Sequence, residues 1–142
     1  MTTKKALKVY VAGKFEERNL IRQLMDKIED AGHDITYDWT VNTESDGLNN
    51  CATWDMIGVR KADLLFVYAV NDWKYLGAPA EIGGALALFK KVYILGNGLR
   101  DLVFSYHPLV TKLNSFDEFL KLIGGTHASE IDVPSDRYSK VS

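Results

Sequence analysis

The chain has 142 residues, 46% hydrophobic and 25% charged, a balance that suits one globular domain with a buried core. Nineteen acidic against seventeen basic residues leave a net charge of −2, which argues against a basic face for a nucleic-acid polymer while leaving room for small anionic ligands. The single cysteine, Cys51, excludes an internal disulfide and a thiolate metal cluster.

The N-terminal Met-Thr-Thr-Lys-Lys runs into an apolar stretch too short for a signal peptide, and no run is long enough to span a membrane. A cytoplasmic location without membrane contact is expected. Leu7 to Gly13 reads as a first strand stopped by glycine. From Phe15 to Ala31 the period becomes helical, with Leu20, Ile21, Leu24, Met25 and Ile28 on one stripe and Gly32 as the stop. Ile35, Tyr37 and Trp39 alternate with polar residues and predict a second strand. Residues 40–50 are polar and turn-rich, a loop long enough to be functional.

A short helix is expected over about Ala52 to Lys61, then a strand from Asp63 to Val70 that is apolar on both faces, as a central parallel strand must be. A loop from Asn71 to Pro79 leads to an alanine- and leucine-rich helix from Ala80 to Phe89. Val92 to Leu95 forms the next strand and Leu109 to Leu113 the last. Ser115 and Glu118 form a capping box for a final helix ending near Ile123.

This order predicts a flavodoxin/Rossmann-like α/β three-layer sandwich, with a five-stranded parallel sheet in the order 2-1-3-4-5. Residues 1–125 make the expected catalytic domain, and 126–142 a polar tail or a subunit-contact arm. In such sheets ligands bind beyond the carboxyl ends of the strands, at the switch point between the first and third. That singles out the segments Tyr10 to Lys14 and Asn71 to Glu81. His33, His107 and His127 have no metal-ligand spacing, so no metal is expected.

Within the second segment, Gly77-Ala78-Pro79-Ala80-Glu81-Ile82-Gly83-Gly84-Ala85 opens the helix, with proline in the first turn where its missing N–H costs nothing. Glu81 reads either as a surface acid favoured by the helix dipole or as a carboxylate poised for displacement at a sugar carbon. Trp39 and Trp54 have an ordinary explanation in core packing. Trp73 stands in a polar loop without an obvious core role and is the candidate for stacking on a base.

The first strand Lys8 to Gly13, then Asp55, Ala62-Asp63, a buried strand, Gly77 and Ala80 to Ala85, form a succession that resembles the nucleoside 2-deoxyribosyltransferase-like superfamily, which includes the deoxynucleoside 5′-monophosphate N-glycosidases. The resemblance covers roughly residues 7–95. It implies N-glycosidic cleavage or 2-deoxyribosyl transfer through a glutamyl glycosyl-enzyme intermediate, without a cofactor. Glu81 matches the nucleophile and Tyr10 the tyrosine that orients it. Asp63 matches an acid near the departing base, and Asp55 an acid of the preceding helix. Each has a plain alternative: Tyr10 a strand aromatic, Asp63 a turn residue, Asp55 a helix acid.

Gly13, Lys14 and Arg18 stand where the monophosphate enzymes cradle phosphate, although Glu16 and Glu17 oppose them. The transferases carry an aspartate six positions before the nucleophile and the monophosphate glycosidases a serine; here the residue is Tyr75, with Asp72 three positions back. The expected partner is a small nucleoside or nucleotide, in a homodimer or larger homo-oligomer completed by residues 104–110 or the tail. A non-catalytic nucleotide-binding domain and an NAD glycohydrolase are the other readings. A response regulator lacks its acidic pair here, a flavodoxin its hydroxyl-rich loop, and a dinucleotide-binding fold its G-x-G-x-x-G.

Overall fold

A computed structural model describes residues 6–71 and 75–124. Five parallel strands, β1 (Lys8–Ala12), β2 (Asp34–Ile35), β3 (Leu64–Tyr68), β4 (Lys91–Leu95) and β5 (Val110–Leu113), form one sheet in the order β2-β1-β3-β4-β5. Four α-helices lie between or after them: α1 (Arg18–Asp30), α2 (Leu48–Lys61), α3 (Gly77–Ala87) and α4 (Phe116–Gly124). The expected α/β sandwich and strand order are both present.

The strands are β-branched and apolar because helices cover both faces. Tyr10 turns toward α2, where a methyl group built on Gly58 would meet its ring. Phe66, of the opposite parity, packs on Phe116 and Phe119 of α4 with ring centroids 5.4 and 4.6 Å away. α2 and α3 pack together, and the right-handed crossover rule puts α1 and α4 on the opposite face. Among the described residues no helix is long and apolar enough to cross a membrane.

Several boundaries differ from the sequence expectation, each for a local reason. The second strand stops at Ile35 instead of running through Trp39. Asp38 accepts the Thr40 N–H and starts a 3-10 turn over Trp39–Val41. The Trp39 indole then donates to the Val11 carbonyl at 2.6 Å, where a continued strand would have offered a backbone N–H. The polar stretch 40–50 is more ordered than a loop. A second 3-10 turn, Glu44–Asp46, precedes α2, which begins at Leu48 rather than Ala52.

α3 begins three residues early, at Gly77, and ends at Ala87 because Phe89 takes a left-handed conformation with φ +59°. Pro79 keeps its place in the first turn, and Glu81 falls at the start of the second. At the final helix Ser115 caps the Glu118 N–H as expected. The Glu118 carboxylate, however, reaches past the cap to the Asn114 N–H at 2.7 Å.

Gly58 is the point where α2 approaches β1. An added Cβ would stand 2.8 Å from the Tyr10 ring and 2.9 Å from Tyr37 Cβ. In an open helix, Gly→Ala gains up to roughly 1 kcal/mol. Here overpacking of roughly 1–3 kcal/mol opposes that gain. Gly58→Ala is expected to lower the urea midpoint and to slow any reaction that uses Tyr10. A higher midpoint would show that the helix and sheet separate freely at this contact.

Candidate functional site

β1 and β3 end side by side at the switch point, since α1 leads from β1 to one side of the sheet and α3 leads from β3 to the other. A cleft of about 300 Å³ lies there. Its wall comes from Gly13, Lys14, Phe15 and Glu16 after β1, Trp39 and Asn42 beyond β2, Asp55 on α2, and Leu76, Gly77 and Glu81 at the start of α3.

Glu81 is only 7% exposed. The fully buried Tyr10 donates its hydroxyl to Glu81 Oε2 at 2.6 Å. Burial pushes the Glu81 carboxyl from the ordinary 4.5 up to about 8; the Tyr10 hydrogen bond works against that rise, and the nearby Asp55 charge adds to it. Tyr10 itself is held well above the usual phenol range, first by burial and then by the Glu81 charge, so it stays a donor. Asp55 is half-buried, and burial raises it to about 6. Its Oδ1 has no hydrogen-bond partner among the described residues. Two carboxyl groups with separated proton affinities thus line one cleft, Glu81 holding its proton more tightly than Asp55.

The other expected site residues divide. Gly13 and Gly77 line the cleft, as does Lys14. Arg18 does not: its guanidinium lies 4.4 Å above the Phe15 ring and donates to the Phe15 carbonyl. Asp63 is also removed from the site. Its Oδ2 accepts the Lys8 N–H at 2.8 Å and its own N–H donates to the Lys8 carbonyl at 2.7 Å, joining the starts of β1 and β3. That edge is a strand length, roughly 16 Å, from the cleft. Tyr75 is buried behind the cleft, with its hydroxyl 3.4 Å from both the Asn71 N–H and Glu17 Oε1. Asp72 and Trp73 lie outside the described residues, as do His127 and the tail.

Asn42, Leu76 and Gly58 belong to the site or its support without having stood out in the sequence. Asn42 accepts the Tyr37 hydroxyl at the cleft wall. A glycine in the middle of a helix is the one signal that could have pointed at Gly58. Trp54 faces away from the cleft, packing on Tyr37 at 6.2 Å. The nitrogens of His33 and His107 accept the backbone N–H groups of Leu7 and Leu109. Among the described residues no group of three or more His, Cys, Asp or Glu side chains is arranged to hold a metal.

The raised Glu81 has a consequence for stability. Between pH 4.5 and 8 the unfolded chain ionises this carboxyl while the folded site keeps it protonated, so stability falls as pH rises through that window. Glu81→Gln carries no such cost. Relative to it, the unsubstituted chain is expected to lose on the order of 2–4 kcal/mol between pH 5 and pH 8 in urea titrations. A gap that does not change with pH would mean that Glu81 ionises as an ordinary carboxylate.

No family model and no curated protein matches the sequence. Solved structures do match. The CMP N-glycosidase of Clostridium botulinum aligns at 19% identity over 84% of this chain and 99% of its own, with a TM-score of 0.57. A conserved protein of Enterococcus faecalis aligns at 18% over 84% and 98%, with a TM-score of 0.61. The 2-deoxyribosyltransferase of Bacillus psychrosaccharolyticus aligns at 14% over 89% and 96%, with a TM-score of 0.62. At these identities the likeness is one of fold alone, a fold this chain shares with an N-glycosidase and a deoxyribosyltransferase.

Proposed function

We propose that this protein cleaves or exchanges the N-glycosidic bond of a (deoxy)nucleoside or its 5′-monophosphate, with Glu81 as nucleophile. The observation that carries the reading is the buried Tyr10–Glu81 hydrogen bond at the floor of the switch-point cleft. It fixes one carboxylate oxygen of a side chain that lines the cleft. The fold shared with an N-glycosidase and a deoxyribosyltransferase supports the same chemistry.

In this mechanism a Glu81 oxygen attacks the anomeric carbon as the carbon–nitrogen bond breaks, and its electrons pass to the departing base. Asp55 supplies the proton that the base takes up. It replaces Asp63 in that role because it lines the cleft and Asp63 does not. Water, or the nitrogen of a second base, then attacks the anomeric carbon of the glycosyl ester and restores the Glu81 carboxylate. Trp39, at the cleft wall, offers the base a flat apolar surface. The exposed Leu76, Val103, Phe104 and Tyr106 fit the expected homo-oligomer.

The productive form needs Glu81 ionised and Asp55 protonated. Because Asp55 holds its proton less tightly than Glu81, that form is a minor fraction of the free protein, and it declines below about pH 6 and above about pH 8. The product is a bell in kcat/KM centred near pH 7, whose limbs belong to the coupled pair. The decisive experiment incubates the protein with deoxynucleosides, their 5′-monophosphates and NAD, with and without a second free base, and follows released base by chromatography. Base release lost in Glu81→Gln, with the bell-shaped profile, is the expected result. Exchange faster than hydrolysis makes the protein a transferase. Ligand binding without base release overturns the enzyme reading in favour of a nucleotide-binding domain.

A further inference from the structure

The wall of the cleft beyond β2 belongs to a segment that lies outside the sheet. β2 ends at Ile35, and Trp39 and Asn42 stand in the wall a few residues later. One anchor of that segment is the Trp39 indole on the Val11 carbonyl. The other comes from α1. Arg22 donates from Nε to Thr40 Oγ1 and from Nη2 to Asp38 Oδ2, both at 3.2 Å. Asp38 Oδ1 in turn accepts the Thr40 N–H at 2.9 Å and the Thr40 hydroxyl. The two residues that flank Trp39 are thus held from the helix, while Trp39 itself is held from the sheet.

We infer that Arg22 is a positioning residue of the cleft, which through Asp38 and Thr40 holds Trp39 in the wall against which the substrate's base lies. The inference rests on the proposed N-glycosidic reading for its ligand, and on the hydrogen bonds of the free protein for its geometry. The ion pair is partly exposed, and such a pair taken alone contributes little to stability. Its leverage comes from where it acts. With the indole as the only anchor, the turn could pivot about one hydrogen bond. Contacts on both sides of the ring remove that freedom before a ligand arrives. Thr40 is 8% exposed, so its hydroxyl finds little water in place of Arg22 and Asp38.

The test begins in the free protein. The exchange rate of the Trp39 indole N–H is followed by NMR, with its signal assigned through Trp39→Phe. Arg22→Met keeps the stem and is expected to speed that exchange about three- to tenfold. Asp38→Asn keeps an acceptor for the Thr40 N–H but loses the charge, and a similar change is expected. Added salt should speed the exchange in the unsubstituted chain and leave Arg22→Met unmoved, since only the former has a pair to screen.

The second readout is affinity, measured by calorimetry on Glu81→Gln protein with the four common deoxynucleosides. Arg22→Met is expected to weaken binding about three- to tenfold. In a Trp39→Leu background it should add nothing, because Arg22 acts through that ring. With Glu81 intact, the loss should fall on KM and spare kcat. Unchanged indole exchange, absence of deoxynucleoside binding, or an affinity loss that persists in full without Trp39 each overturn the inference. Base release with an unchanged KM in Arg22→Met would sink this inference and leave the proposed reaction standing. Binding that depends on Arg22 through Trp39, without base release in the unsubstituted chain, would do the reverse.

Discussion

The Tyr10 hydroxyl and the Glu81 carboxylate meet at 2.6 Å where water barely reaches, and most of the architecture can be understood as what it takes to keep them there. A buried carboxyl with one hydrogen bond is an unfavourable object in isolation. It persists because the strand that carries Tyr10 is locked in the middle of the sheet, while α3 is seated against α2. Neither partner can withdraw without unpacking the core. Gly58 makes the arrangement possible by letting α2 press against the flank of the tyrosine ring. The same helix places Asp55 three residues earlier, so one packing contact sets both acidic groups of the cleft.

Burial also divides the labour between those two groups. Glu81 is enclosed and holds its proton more tightly; Asp55 is half-exposed and releases it more readily. The difference comes from depth rather than from a neighbouring cation. A substrate that fills the cleft would remove the water that Asp55 still sees and raise its proton affinity further. That is the direction a proton donor needs at the moment a base departs. In the proposed reaction the substrate would thereby complete the site electrostatically.

Much of this was legible in the sequence. Alternating strand and helix periods fix a parallel sheet, and the order of motifs picks out Tyr10 and Glu81. The misassignment of Asp63 shows how the rest escaped. A residue immediately before a parallel strand lies at the edge opposite the ligand cleft, so the expected fold already opposed the role that resemblance gave it. Spacing cannot show that an acid eight residues earlier points into the cleft from a helix face. Trp39 failed differently. Its alternation with Ile35 and Tyr37 has a strand's period, but the indole claims a carbonyl that only a three-dimensional ladder makes available. Tyr75 carries no local signal at all. Its neighbours include Glu17 and Lys14, 58 and 61 residues before it, and Gly98, 23 residues after it.

That Val11 carbonyl has a wider significance. With β2 only two residues long, the outer half of β1 near the cleft has no strand beside it on the edge away from β3. Open strand edges invite pairing with other chains, and proteins commonly blunt them with charge, proline or a bulge. Here a side chain that helps wall the cleft also closes the hydrogen-bonding edge beneath it. The cleft stays open to a small molecule while the sheet is shut to an extended one.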